Sequence, residues 1–217
     1  MKRLTVIYAT PVAVAPTRTA LEVVPELEVV DVLDEGLLRV VLDEGRITPL
    51  AVGRMISHLL QAQAIGSDAV LVTCNIYSNV IADVTSAFAG MPVLAIDSPM
   101  VEDAVATASR VGIVATGLSG LRSQLEMFTD EIERTQREVE LVPRLCEGAF
   151  DALVRGDAAT HDRLVQEAID EMSQDLDVVV LAQASMARVL DGRAEGPVPV
   201  LSSPRIAMPR LRELLGT

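Results

Sequence analysis

Short aliphatic runs alternate with longer amphipathic stretches along this whole sequence. The runs at Leu4–Ala9, Leu27–Val32, Ala69–Thr73, Val93–Ile96, Val111–Ala115, Val139–Pro143, Val178–Leu181 and Val198–Leu201 read as strands. Several are continuously apolar, the signature of strands covered on both faces. Between them, apolar residues recur at helical spacing, most clearly from Thr48 to Ile65, Ser119 to Ile132, Ala159 to Leu176 and Arg205 to Leu215. Thr48-Pro49 predicts a helix start, with Thr as cap and Pro in the first turn. Strands alternating with helices argue for parallel βαβ units, an α/β fold.

The pattern also repeats. Asp68-Ala69-Val70-Leu71-Val72-Thr73-Cys74-Asn75 aligns with Asp177-Val178-Val179-Val180-Leu181-Ala182-Gln183-Ala184, about half the chain away. Pro92-Val93-Leu94 with Ser98-Pro99 aligns with Pro199-Val200-Leu201 with Ser203-Pro204, and Val6–Pro11 aligns with Gly112–Gly117. Three blocks in one order predict two pseudo-symmetric α/β halves. We take 1–97 with 205–217 as the first half and 98–204 as the second. Open parallel sheets bind ligands beyond the carboxyl ends of their strands, where helices present free N–H groups. The repeat marks four such ends: Thr10, Cys74, Thr116 and Gln183. If the halves face each other, these converge on one cleft suited to a small anion.

Composition narrows the function. Half of the 217 residues are hydrophobic, only 2% are aromatic and Trp is absent, so the core is aliphatic. A net charge of −13 without a basic stripe argues against a nucleic-acid partner. The two cysteines lie far apart, with no Cys/His cluster to suggest a disulfide framework or a metal site. The N-terminal run lacks the length of a signal peptide, and no apolar run would span a bilayer. Neither a Gly-rich phosphate loop nor a hydrolase elbow occurs. The expectation is a cytoplasmic protein without membrane partners.

Among chemically capable residues, Cys74 stands out. It closes a strand and precedes a helix start at Asn75-Ile76-Tyr77-Ser78, where free N–H groups and the helix dipole favour a thiolate. Such a thiol serves as base or nucleophile. Asn75 can donate to a carboxylate, cap the helix, or both. Thr10 and Thr116 end their strands as caps or substrate contacts. Cys146 reads as core packing, Asp34-Glu35 as a solvated acidic loop, and His58 and His161 as surface residues.

Val72-Thr73-Cys74-Asn75, Pro92-Val93-Leu94 with Asp97-Ser98-Pro99, Gly112-Ile113-Val114-Ala115-Thr116 and Leu181–Met186 together resemble the aspartate/glutamate/hydantoin racemase superfamily. The resemblance implies paired flavodoxin-like domains, an active site between them, and cofactor-independent chemistry at the carbon next to a carboxylate. It implies that Cys74 is the first of the two active-site cysteines and that the second falls on Gln183. Thr10 and Ser185 stand where glutamate racemases carry Asp and His, which argues against glutamate, and Glu147 is a weaker match to the family's Glu. Cys74 is therefore the expected catalytic residue. Thr10, Pro11, Thr73, Asn75, Thr116, Gly117, Gln183 and Ser185 are expected to bind a small carboxylate, with no metal or cofactor, in what the resemblance suggests is a homo-oligomer. Racemisation or isomerisation is the family's default. A one-cysteine decarboxylase and a non-catalytic carboxylate binder are the alternatives.

Overall fold

The computed structural model describes residues 1–88 and 90–217, leaving aside the side chains at 79, 82, 83, 85 and 86. It contains two four-stranded parallel sheets, each flanked by helices, so the architecture is the expected pair of α/β halves. The first sheet joins β1 (Lys2–Tyr8), β2 (Leu27–Leu33), β3 (Ala69–Val72) and β4 (Val93–Ala95) in the order β2-β1-β3-β4. The second joins β5 (Arg110–Ala115), β6 (Glu140–Leu145), β7 (Val178–Leu181) and β8 (Val200–Ser202) in the order β6-β5-β7-β8. These orders are the same once the repeat is superposed. The inner strands β3 and β7 are buried at every position, which explains their unbroken aliphatic runs.

Each sheet carries a core on either face. In the first half, Met55 and Leu59 of α3 (Pro49–Ala64) cover one face with Leu37 and Val41 of α2 (Glu35–Glu44). Ala207, Met208, Leu211 and Leu215 of α9 (Ser203–Leu215) cover the other, with Leu21 of α1 (Val14–Leu21). The last helix thus returns to the first sheet. In the second half, α5 (Ser98–Thr107) and α6 (Leu118–Thr135) cover one face and α8 (Ala158–Met172) the other. Short helices α4 (Ser78–Val84) and α7 (Ala149–Val154) follow β3 and β6.

The caps are those the local sequence dictates. Thr48 Oγ1 accepts from Ala51 N at 3.2 Å with Pro49 in the first turn of α3, as expected. Asp157 caps α8 through Thr160 N. Gly45 ends α2 at φ 68°, a left-handed conformation that glycine adopts without strain.

Three sequence expectations are corrected. Asp34-Glu35 is no solvated loop: Asp34 is buried and caps α2, accepting from Gly36 N at 3.0 Å. Its carboxylate takes Arg54 Nε at 2.5 Å, Arg54 Nη2 at 2.7 Å and His58 Nε2 at 2.7 Å, all from α3. His58 is therefore half-hidden against α2 rather than on the surface. His161 is wholly buried at the start of α8, with Nδ1 2.8 Å from Asp162 Oδ1. The acid-rich composition concealed these residues, because a carboxylate that clamps two helices looks the same in sequence as one in water.

The hydrogen bonds from Arg54 hold the Asp34 carboxyl down to about 2, against the opposing effect of its burial, with His58 adding to the depression. A depressed carboxyl stabilises the fold above its unfolded pKa and loses that contribution as pH falls through the folded value. Asp34→Asn keeps the cap and removes the charge. We expect it to lower Tm at pH 7 by about 2–6 °C, following the loss of about 1–2 kcal/mol at one buried charged partner. In thermal melts across pH, that difference should shrink from about pH 4 downwards; a difference constant with pH would contradict the clamp.

Candidate active site

A cavity of about 250 Å³ lies at the carboxyl ends of both sheets. Thr10 after β1, Cys74 after β3, Thr116 after β5 and Gln183 after β7 all line it, so the four strand ends meet. Thr73, Asn75, Gly117 and Ser185 line it as well. Of the sequence-predicted site residues, only Pro11 falls elsewhere. It lies in a separate groove with Val12, Pro16, Leu153 and Arg188. Its ring occupies the first turn of a 3-10 helix, Pro11–Ala13, and that turn carries it away from the cavity.

Proximity does not give these residues the same work. Asn75 donates both hydrogens of Nδ2 to the second half: to Gly120 O at 2.9 Å and to Ala182 O at 2.9 Å. Ser123 of α6 returns a hydrogen bond to Asn75 O at 2.8 Å. The expected donation from Asn75 to a substrate carboxylate is thus corrected, because two backbone carbonyls already take both hydrogens. Thr73 Oγ1 donates to Ile7 O at 3.2 Å and belongs to the sheet. Gln183 Oε1 accepts from Thr116 N at 3.0 Å, with Thr116 Oγ1 at 3.4 Å. Its Nε2 sits over Gly120, where any Cβ would collide with it. These four side chains are committed to the protein frame, Asn75 across the halves and the others within one half, and they leave Cys74, Thr10 and Ser185 as the predicted side chains without such a commitment.

The donors for an anion come from a feature the sequence marked only weakly. Helix α6 begins at Leu118 beside the cavity, and no side chain caps it. The first N–H groups of a helix have no partner within it, so those of Leu118, Ser119 and Gly120 are available where the helix dipole favours negative charge. The lining also carries an apolar wall: Leu38 and Leu42, one turn apart on α2, with Ile76 and Phe150. None of the eighteen lining residues is Lys, Arg, His, Asp or Glu, among the described residues. Leu38 and Leu42 could have been found from their i, i+4 spacing, had α2 been assigned as a helix.

Cys74 is partly open to this cavity. Burial nevertheless pushes its thiol up to about 12, while the N–H groups of Ile76 and Tyr77 act in the opposite direction and the charge of Asp97 adds to the rise. The helix start therefore does what the sequence predicts, but desolvation outweighs it, and the thiol is neutral at pH 7. Asp97 follows β4 as Cys74 follows β3, and the paired register Val72↔Ala95 brings these two ends side by side. It is buried, with Oδ1 accepting from the hydroxyl of Ser203. Ser78 Oγ lies near the same carboxyl without hydrogen-bond geometry, and Oδ2 has no partner. Burial pushes this carboxyl up to about 7 against the influence of the two hydroxyls. Sequence reading missed Asp97 as a determinant of the thiol, because adjacency across strands is invisible until the register is known. Cys146, as expected, is packed in the core of the second half. Glu147 is exposed and outside the cavity.

Among the described residues, no group of three or more His, Cys, Asp or Glu side chains is placed to hold a metal ion. No helix among them is long and apolar enough to cross a membrane.

Comparison with known proteins agrees with this architecture. Residues 41–211 match the family model Asp/Glu/Hydantoin racemase, and the chain belongs to that family. The fold is similar to that of glutamate racemase isoform RacE1 from Bacillus anthracis, at TM-score 0.73 and 14% identity over 99% of this chain and 82% of that one. It is likewise similar to Picrophilus torridus aspartate racemase, at TM-score 0.71 and 14% identity over 100% of this chain and 95% of that one. Allantoin racemase from Klebsiella pneumoniae gives TM-score 0.69 and 17% identity over 100% and 88%. A search of curated proteins by sequence returned no match.

The Asp97–Cys74 pair generates a test that needs no substrate. Asp97 is neutral below its pKa near 7 and negative above it, so its push on the thiol is present only at the higher pH. We expect Asp97→Asn to leave alkylation of Cys74 by iodoacetamide unchanged at pH 6 and to speed it about tenfold at pH 9. Peptide mapping separates Cys74 from Cys146. Equal rates at pH 9 would show that the two groups do not interact.

Proposed function

We propose that this protein is a cofactor-independent enzyme of the racemase type that exchanges a proton at the carbon alpha to the carboxylate of a small acid, with Cys74 as the proton carrier. The observation that carries the reading is the position of Cys74. It is the one titratable group among the described residues of the cavity, beside a helix start suited to a carboxylate. In this reading the acid's carboxylate lies at the N–H groups of Leu118, Ser119 and Gly120, with hydroxyls from Thr10 and Ser185 nearby. Cys74 acts after giving its proton to bulk water, and the N–H groups of Ile76 and Tyr77 hold the sulfur's charge against the effect of burial. The thiolate takes the α-proton. The electron pair left on carbon moves into the carboxyl group as an enediolate, stabilised by the same helix start. Return of the proton from sulfur to carbon closes the cycle.

Gln183 distinguishes this cycle from a two-thiol racemase. Its amide neither accepts nor donates a proton usefully at neutral pH, and its Oε1 is held by Thr116. Reprotonation from the Cys74 face is thus the faster course, and inversion requires a proton delivered to the opposite face by a source other than residue 183, such as water. The same reading assigns 1–97 with 205–217 and 98–204 as the two halves that supply the site, and the free thiols suit a reducing cytoplasm.

In D2O, deuterium should enter the α-carbon of a turned-over acid several times faster than its configuration inverts, measured by NMR and chiral chromatography. Cys74→Ser should slow that exchange by about 10³ or more. Exchange that survives in Cys74→Ser would remove Cys74 from the mechanism, and inversion as fast as exchange would require a proton donor on the other face.

A further inference from the structure

We propose that the acid this cavity takes is a monocarboxylate with an apolar substituent, and that the cavity discriminates against a second carboxylate. The proposal rests on the proton-exchange reading only for where the carboxylate lies; the selectivity follows from the lining itself.

The cavity lining combines a small polar set with apolar side chains. The polar set is the uncapped start of α6 with the hydroxyls of Thr10 and Ser185, enough to receive one carboxylate. Leu38, Leu42 and Phe150 supply an apolar wall, with Leu42 half exposed. Leu38 and Leu42 come from the first half and Phe150 from the second, so both halves shape this wall. No lining residue among those described carries a charge. The guanidinium beside α2 is committed elsewhere, since Arg54 bonds Asp34. A second carboxylate would therefore give up its water without receiving a partner, the costliest way to bury a charge. The chain's net charge of −13 adds a general bias against dianions. A branched alkyl or phenyl group loses nothing on the same move and leaves water. The volume of about 250 Å³ leaves room for a small acid with such a substituent.

One pair of probes isolates the effect. Malate and 2-hydroxy-4-methylpentanoate share a 2-hydroxy acid head and differ by a carboxylate in place of an isopropyl group of nearly the same shape. Titration calorimetry on the full-length protein at fixed ionic strength should find the isopropyl acid bound at least about tenfold more tightly. Leu42→Arg supplies the missing cation at a position already half exposed, so the fold tolerates it. That variant should reverse the order, weakening the isopropyl acid and tightening malate by about tenfold or more. Malate bound as well as the isopropyl acid by the unaltered protein, or neither acid bound, would overturn the proposal. Failure of the enzyme reading is separate: the isopropyl acid bound with the expected preference, yet acquiring no deuterium in D2O, would leave the selectivity standing and remove the proton-exchange cycle.

Discussion

Both hydrogens of one buried amide, that of Asn75, end on carbonyl oxygens of the opposite half. Much of the cavity depends on this constraint. Gly120 O lies in the first turn of α6 and Ala182 O at the end of β7, so a single side chain fixes both elements relative to the residue after Cys74. Ser123 closes the link from the other direction. An amide in this position has little freedom, because breaking either bond would strand a buried carbonyl at a cost of about 1–3 kcal/mol. Two sheets that make no strand-to-strand hydrogen bonds to each other, among the described residues, are thereby held in register where the chemistry would occur.

The arrangement places charge sparingly. The cavity has no ionised side chain in its described lining, a neutral thiol in its wall and a carboxyl titrating near 7 behind that thiol. Asp97 is also where the chain leaves the first half, and Ser203, which bonds it, is where the chain returns. The two crossings between halves therefore meet at one hydrogen bond beside Cys74. A shift of one half against the other would be felt by the carboxyl that sets the sulfur's proton affinity.

The extent to which this could be read from sequence follows from what each feature depends on. The inner strands were legible because burial on both faces forces unbroken aliphatic runs, the partly covered edge strands β2 and β6 from shorter apolar clusters, and the duplication because these runs recur with their flanking turns. The convergence of Thr10, Cys74, Thr116 and Gln183 followed from topology alone. Their individual roles did not. Whether Asn75 faces a ligand or a backbone carbonyl depends on where the other half stands, and whether Asp34 is solvated depends on Arg54 and His58 some twenty residues later. The helix start at Cys74 was read correctly as favouring a thiolate, but the size of the opposing desolvation is a property of packing, which no local pattern encodes.

Gly120 and Gln183 carry a consequence for how such a site changes over generations. The amide of Gln183 fills the room that the missing side chain at 120 leaves, and its oxygen accepts the Thr116 N–H. A cysteine at 183 would be shorter and would abandon both, leaving a void and an unsatisfied donor. Placing a thiol there is thus more than a one-letter change. The substitution would pass through a less stable protein unless residue 120 changed with it, so the two positions constrain each other.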